Sequence, residues 1–128
     1  MSLPDILSVS IGAAVGACLR FGLGAAMNPI FPTIPLGTVA ANIIGGFLMG
    51  IFMALTKNHA FIPPIARLAI ATGFLGGLTT FSTFSAETVT LLSNQEYLWS
   101  AFIVVLHVAG TVLATILGIY TVRIFTSY

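Results

Sequence analysis

Formal charge is nearly missing from this chain: four Lys and Arg and three Asp and Glu among 128 residues, 5% in all, for a net charge of +1. A soluble domain carries about 25% charged and about 45–50% apolar residues. Here 58% are hydrophobic and the mean hydropathy is +1.11. So little charge excludes an ordinary cytosolic domain, a disordered segment and a basic module for nucleic acid. The single Cys18 excludes an intrachain disulfide and, lying mid-span, reads as a small packing residue rather than a reactive thiol. Paired carboxylates, a nucleophile beside a histidine base, a phosphate-cradling loop and metal-ligand spacing are all missing, which argues against an enzyme. The opening Met1-Ser2-Leu3-Pro4-Asp5 is acidic where a secretory leader is basic, so no cleavable signal is expected. Strand-like alternation is absent, which disfavours a β-barrel.

What remains is apolar length. A membrane-spanning helix needs roughly 20 apolar residues, and the charges and turn residues mark off four such stretches, at about 6–27, 36–56, 65–92 and 97–125. The breaks between them are Asn28-Pro29-Ile30-Phe31-Pro32-Thr33-Ile34-Pro35, the His59–Pro64 connection with Pro63-Pro64, and Ser93-Asn94-Gln95-Glu96. His59 reads as a solvated loop residue. Tyr97, Trp99, Tyr120 and Tyr128 fall near span ends, where amphipathic rings favour the interface. The chain is read as one all-α membrane domain, 1–128, of four transmembrane helices. Lys57, Arg67 and Arg123 would share one side against Arg20, an asymmetry small enough to leave both a single orientation and insertion in both open.

The third span is crowded at its centre by Gly73-Phe74-Leu75-Gly76-Gly77-Leu78-Thr79-Thr80-Phe81-Ser82-Thr83-Phe84-Ser85. Adjacent glycines each cost about 1 kcal/mol relative to Ala in a helix. The hydroxyl run competes for backbone hydrogen bonds. A broken third helix is therefore expected at about 76–80, tolerated in a bilayer only where protein or a water-filled cavity covers it. Such a break would end one half-helix near Gly76, with carbonyls suited to a cation. It would start another near Thr79 or Thr80, with N–H groups suited to an anion. Phe81 and Phe84 share a face, and their positive ring edges could line an anion passage; simple packing is the alternative.

Other polar residues extend the pattern. Asn42 lies mid-span, one turn after Thr38, and needs a partner: protein, ion or water. His107, Thr111 and Thr115 recur every four residues as one stripe, although hydroxyl back-bonding to the helix would also account for the threonines. Glu87, one turn after Thr83, reads either as a structural hydrogen bond to a neighbouring helix or as a proton-coupling group. Arg20 either snorkels to the interface or draws anions to a vestibule. Gly12 with Gly16, and Gly46 with Gly50, have the spacing of close helix packing and read as assembly faces.

The run Gly76-Gly77-Leu78-Thr79-Thr80-Phe81-Ser82-Thr83-Phe84-Ser85-Ala86-Glu87 closely resembles the Fluc (CrcB) fluoride ion channel family, and the likeness covers essentially the whole chain. Gly12 to Arg20, and Gly37-Thr38 with Asn42 and Gly45, resemble its first- and second-helix motifs. The resemblance implies a passive, fluoride-selective exporter in the cell inner membrane that relieves fluoride toxicity. It also implies an antiparallel dual-topology homodimer with two pores and a central structural sodium ion. By the same resemblance Phe81, Phe84 and Asn42 match pore residues, and Ser82, Thr111 and Thr115 match the polar pathway. Gly76 and Thr79 match positions that offer backbone carbonyls to sodium, Arg20 a vestibule arginine, and Glu87 the glutamate after the motif. His107 departs, standing where some members carry a small hydroxyl residue; Thr38 and Thr83 complete the expected structural polar set. The expected partners are fluoride, membrane lipid and a second copy. Four short helices can hardly enclose an aqueous pore alone, which independently favours an oligomer. A small multidrug-type, proton-coupled transporter is the alternative, but it wants a carboxylate in the first helix, where only Asp5 stands, at the edge. A purely structural membrane subunit would leave the crowded third span unexplained.

Overall fold

A computed structural model describes residues 1–58 and 61–126. The readings of His59 and Tyr128 lie outside the described residues. Helix α1 (Leu3–Met27) opens on a capping box. The Ser2 amide donates to the Asp5 carboxylate at 2.8 Å, and the Asp5 amide donates to the Ser2 hydroxyl at 3.3 Å. That cap starts the helix three residues before the apolar pattern does. A 3-10 turn, Asn28–Ile30, follows, and then α2 (Leu36–Asn58). The Asn28 side-chain oxygen accepts the amides of Gly37 and Thr38, at 2.8 and 3.3 Å, and so satisfies donors that the start of α2 leaves open.

The third span begins as α3 (Pro64–Arg67), continues through π-helical turns over Leu68–Leu75, and closes as α4 (Gly76–Leu78). After the extended residues Thr79 and Thr80 comes α5 (Phe81–Ser93), and a left-handed Gln95 turns the chain into α6 (Tyr97–Thr126). Four helical stretches, Leu3–Ile30, Leu36–Lys57, Pro64–Ser93 and Tyr97–Thr126, are long and apolar enough to cross a bilayer. The chain has the build of a multi-pass membrane protein. Tyr97 and Trp99 open α6, and all of Tyr97, Trp99 and Tyr120 are exposed.

Glycines decide which helices touch. A Cβ on Gly16 would lie 2.7 Å from the Leu78 amide, and one on Gly12 would lie 2.8 Å from that of Phe74. On the other side of the same seam, Gly73 and Gly77 face Val9 and Ala13 of α1. Likewise Gly46 and Gly50 face Thr111 and Thr115, and Gly118 faces Phe47 and Ile51. Both spaced pairs therefore close seams within one chain, α1 on the first half of the third span and α2 on α6. They are not the faces left for another copy. Cys18 is exposed on α1 and fills no internal gap. The buried core follows the same seams: Ile34, Val39, Phe84, Leu91 and Ile103 form one cluster, and Ala41, Leu75 and Leu78 another.

Candidate functional site

The site is built around two residues of extended backbone. Thr79 sits at φ −84°, ψ 155° and Thr80 at φ −150°, ψ 121°. The Thr79 amide still closes the preceding turn on the Leu75 carbonyl at 3.0 Å, whereas the Thr80 amide has no helical partner and needs another. The Thr80 hydroxyl accepts the Thr83 amide at 3.1 Å and donates to the Thr83 hydroxyl at 3.0 Å, which caps α5. Asn42 reaches across from α2 and binds the Thr80 main chain twice. The Thr80 amide donates to Asn42 Oδ1 at 2.7 Å, and Asn42 Nδ2 donates to the Thr80 carbonyl at 2.9 Å. The same Nδ2 lies 3.0 Å from His107 Nδ1 on α6. One buried carboxamide thus joins three spans.

Arg20 joins the fourth. Its Nε–H donates to the Gly77 carbonyl at 3.0 Å, at the carbonyl end of α4 where a cation is favoured. The guanidinium is therefore turned into the protein against the third span. Thr38 donates to Glu87 Oε1 at 2.6 Å, the interhelical bond that was one of two readings for that carboxylate. The other oxygen, Oε2, is buried with no hydrogen-bond partner among the described residues.

Two cavities have Thr80 on their walls. The first, of about 310 Å³, is lined by Asn42, Thr79, Thr80, Phe81, Phe84, His107 and Thr111, with Val108 and Val112. The second, of about 510 Å³, contains Arg20, Asn28, Thr38, Thr80 and Thr83 on its walls. None of the first cavity's lining residues carries a formal charge. Phe81 and Phe84 meet edge to face, with centroids 5.4 Å apart at 73°, and Phe84 lies 4.6 Å from the His107 ring. Phe81 is 77% exposed and Phe84 only 7%, so the first ring stands on the open side of the cavity and the second is packed inside.

Most of the expected residues converge here, but four line neither cavity: Gly76, Thr115, Ser82 and Glu87, which reaches the site only through Thr38. Thr115 does not line the first cavity; its hydroxyl bonds back to the Thr111 carbonyl at 2.9 Å, the alternative its spacing left open. Ser82 is exposed, and its hydroxyl lies 3.3 Å from that of Thr80. The helix ends also fall later than expected, because α4 runs to Leu78 and α5 starts at Phe81. The residue that side-chain reasoning passed over is Thr80, which touches both cavities and holds Asn42 through its main chain. Its signal was the Thr80-Phe81-Ser82-Thr83 spacing, with a hydroxyl at the cap and another three residues on.

The fold and this site define an integral membrane protein of four helical spans with an internal polar site made of neutral hydrogen-bonding groups. The chain belongs to the CrcB family, whose model, described as CrcB-like protein, Camphor Resistance (CrcB), matches residues 7–119. A relative from Nitrosospira multiformis named fluoride-specific ion channel FluC is 53% identical over 123 residues, 96% of each chain. Relatives of the same name from Thiobacillus denitrificans, 53% identical over 117 residues, and from Tolumonas auensis, 47% identical over 122, cover 91% and 95% of this chain and 94% and 96% of their own.

Proposed function

We propose that this chain is a fluoride-selective passive ion channel of the inner membrane that exports cytoplasmic fluoride and so relieves its toxicity. The names of its relatives support the substrate. The observation that carries the reading is the first cavity, where Phe81 and Phe84 stand beside Asn42, Thr80, His107 and Thr111. A small, strongly hydrated anion can give up water only where donors replace it. Hydroxyls, an imidazole N–H and the positive edges of two phenyl rings are such groups, with Asn42 beside them holding the Thr80 main chain in place. Thr80 lines both cavities, and the route is read as passing from the one with Arg20, Thr38 and Thr83 to the one with the ring pair and Thr111, with Thr115 beyond it on α6. Ser82 sits on the exposed flank of that route.

We read the two extended residues as a break in a membrane-spanning third helix, and the working unit as an antiparallel, dual-topology homodimer. Phe81 is open in the single chain, and a second copy would seal the route it flanks. Gly76 and Thr79 would hold a sodium ion between copies through their carbonyls. Their backbone suits this role, because the amide that would close the next helical turn on Gly76, that of Thr80, donates to Asn42 instead. Neutral carbonyl oxygens suit a hard monovalent cation. Bound there, sodium would supply a fixed positive charge at the dimer centre.

Passive conduction fits the fate of the carboxylates. Asp5 closes the cap of α1 and Glu87 accepts from Thr38, so the first helix offers no mid-span acid for drug–proton exchange. Efflux from liposomes tests the reading: fluoride should leave far faster than chloride, and equal rates, or none, would overturn it. A reporter fused after Tyr128 should signal from both membrane faces; signal from one face alone would refute dual topology.

A further inference from the structure

The ring of His107 is 4% exposed, and its Nε2 is buried without a hydrogen-bond partner among the described residues. Which of its nitrogens carries the hydrogen follows from the main chain. A peptide N–H can only donate and a peptide C=O can only accept. Because the Thr80 amide faces one end of the Asn42 carboxamide and the Thr80 carbonyl faces the other, at 2.7 and 2.9 Å, that carboxamide has a single orientation. Its second N–H then points at His107 Nδ1, 3.0 Å away, which must be the lone-pair nitrogen. The hydrogen is left on Nε2.

We propose that Asn42 is a positioning residue that locks His107 in the neutral Nε2–H form, and that this N–H donates to the anion in the adjoining cavity. The proposal rests on the channel reading and assigns a role within it. A buried N–H without a partner is unfavourable unless a ligand fills it. A nitrogen that can only donate accepts fluoride and offers nothing to a cation. Protonating Nδ1 would set two N–H groups against each other, and Asn42 cannot flip to relieve them without losing both bonds to Thr80. The charged groups on the surrounding spans are engaged elsewhere: Glu87 of α5 with Thr38, and Arg20 of α1 with Gly77. Between Glu96 and Arg123 the histidine's own helix carries no formal charge, and α2 carries none before Lys57.

The test uses full-length protein carrying His59→Gln, which leaves His107 as the only histidine of the two, labelled with nitrogen-15 and reconstituted in lipid. At neutral pH the spectrum should show Nδ1 bare and Nε2 protonated, and the Nε2–H resonance should move on titration with sodium fluoride. A proton on Nδ1 overturns the proposal, as does an Nε2–H that ignores fluoride in protein that conducts it. Two substitutions divide the ring's roles. His107→Asn keeps an acceptor for Asn42 and loses the far donor, while His107→Gln keeps an N–H near the Nε2 position. Fluoride efflux should fall roughly tenfold in the first and stay within about threefold in the second, as expected for losing one bond to a charged ligand. The reverse order refutes the assignment. No fluoride efflux from the unsubstituted protein would instead overturn the channel reading, with the tautomer still read from Nδ1.

Discussion

Replacing Asn42 by Ala should cost more stability than its single side chain suggests, because the Thr80 amide loses its partner while the Thr80 carbonyl, which as the cap of α5 still accepts the first helical amide, loses its second donor. In the native chain Asn42 satisfies one amide and one carbonyl, at 2.7 and 2.9 Å, and contacts His107 at 3.0 Å. The amide left unpaired costs about 1–3 kcal/mol, and the lost contacts to the Thr80 carbonyl and His107 Nδ1 add about 0.6 kcal/mol each, roughly 2–4 in all. Two effects pull the figure down. Thr80 touches both cavities, so water can reach its peptide. Hydrogen bonds between membrane helices average about 0.6 kcal/mol and reach about 1.7 at most. A loss of about 2 kcal/mol is therefore expected, measured by circular dichroism as SDS is titrated into protein held in a mild detergent. Thr80→Ala, which removes only the cap hydroxyl and leaves the peptide bound to Asn42, should lose about 1 kcal/mol. A loss below about 0.5 kcal/mol for Asn42→Ala, or one smaller than for Thr80→Ala, would mean that solvent already pairs the Thr80 peptide. The carboxamide would then not be what holds that segment.

Gly50→Val should destabilise by about 2–3 kcal/mol in the same titration, because its side chain would meet the Thr115 and Ile119 backbone of α6, which has no rotamer to yield. Gly22→Ala, with nothing within 4 Å of its Cβ, should be neutral or gain up to about 1 kcal/mol; equal losses for the two would refute the seam argument. Phe84→Leu, at a 7% exposed ring, should cost about 1 kcal/mol of stability, whereas Phe81→Leu, at a 77% exposed ring, should cost almost none and yet lower fluoride flux. Normal flux in Phe81→Leu would remove that ring from the route. Glu87→Gln keeps an acceptor for the Thr38 hydroxyl, so its fluoride flux should stay within about threefold of the parent and be indifferent to an imposed proton gradient. A gradient-driven flux would favour the transporter alternative.

The spans were legible because apolar length and seven charges leave few ways to divide the chain. The helix ends were less so, since caps rather than hydropathy set them: Ser2 and Asp5 pull α1 back to Leu3, and Thr80 pushes the start of α5 to Phe81. The stripe of His107, Thr111 and Thr115 shows where periodicity fails. Four residues turn a helix by about 400°, so each step drifts about 40° and the whole stripe about 80°. That drift is enough to leave Thr115 outside the cavity that His107 and Thr111 line, with its hydroxyl on its own helix. The glycine pairs announced close packing, but spacing cannot say whether the partner is the same chain; the collisions at Gly16 and Gly50 answer that.

Asn42 marks the deeper boundary between what side-chain patterns reveal and what they hide. A carboxamide in a span must find a partner, and that much follows from composition alone. Its partner is a peptide, and peptides are alike in every residue, so no pattern of side chains could single out Thr80. Yet this peptide orients Asn42, Asn42 orients the hydrogen on His107, and the first cavity thereby acquires a donor of fixed sense without any formal charge. In a chain with so few ionic groups, recognition of an anion has to be assembled from dipoles, and dipoles work only when their direction is held. The extended backbone at Thr79 and Thr80 is thus more than a gap between helices: it is the fixed point from which the hydrogen-bonding sense of the site is set.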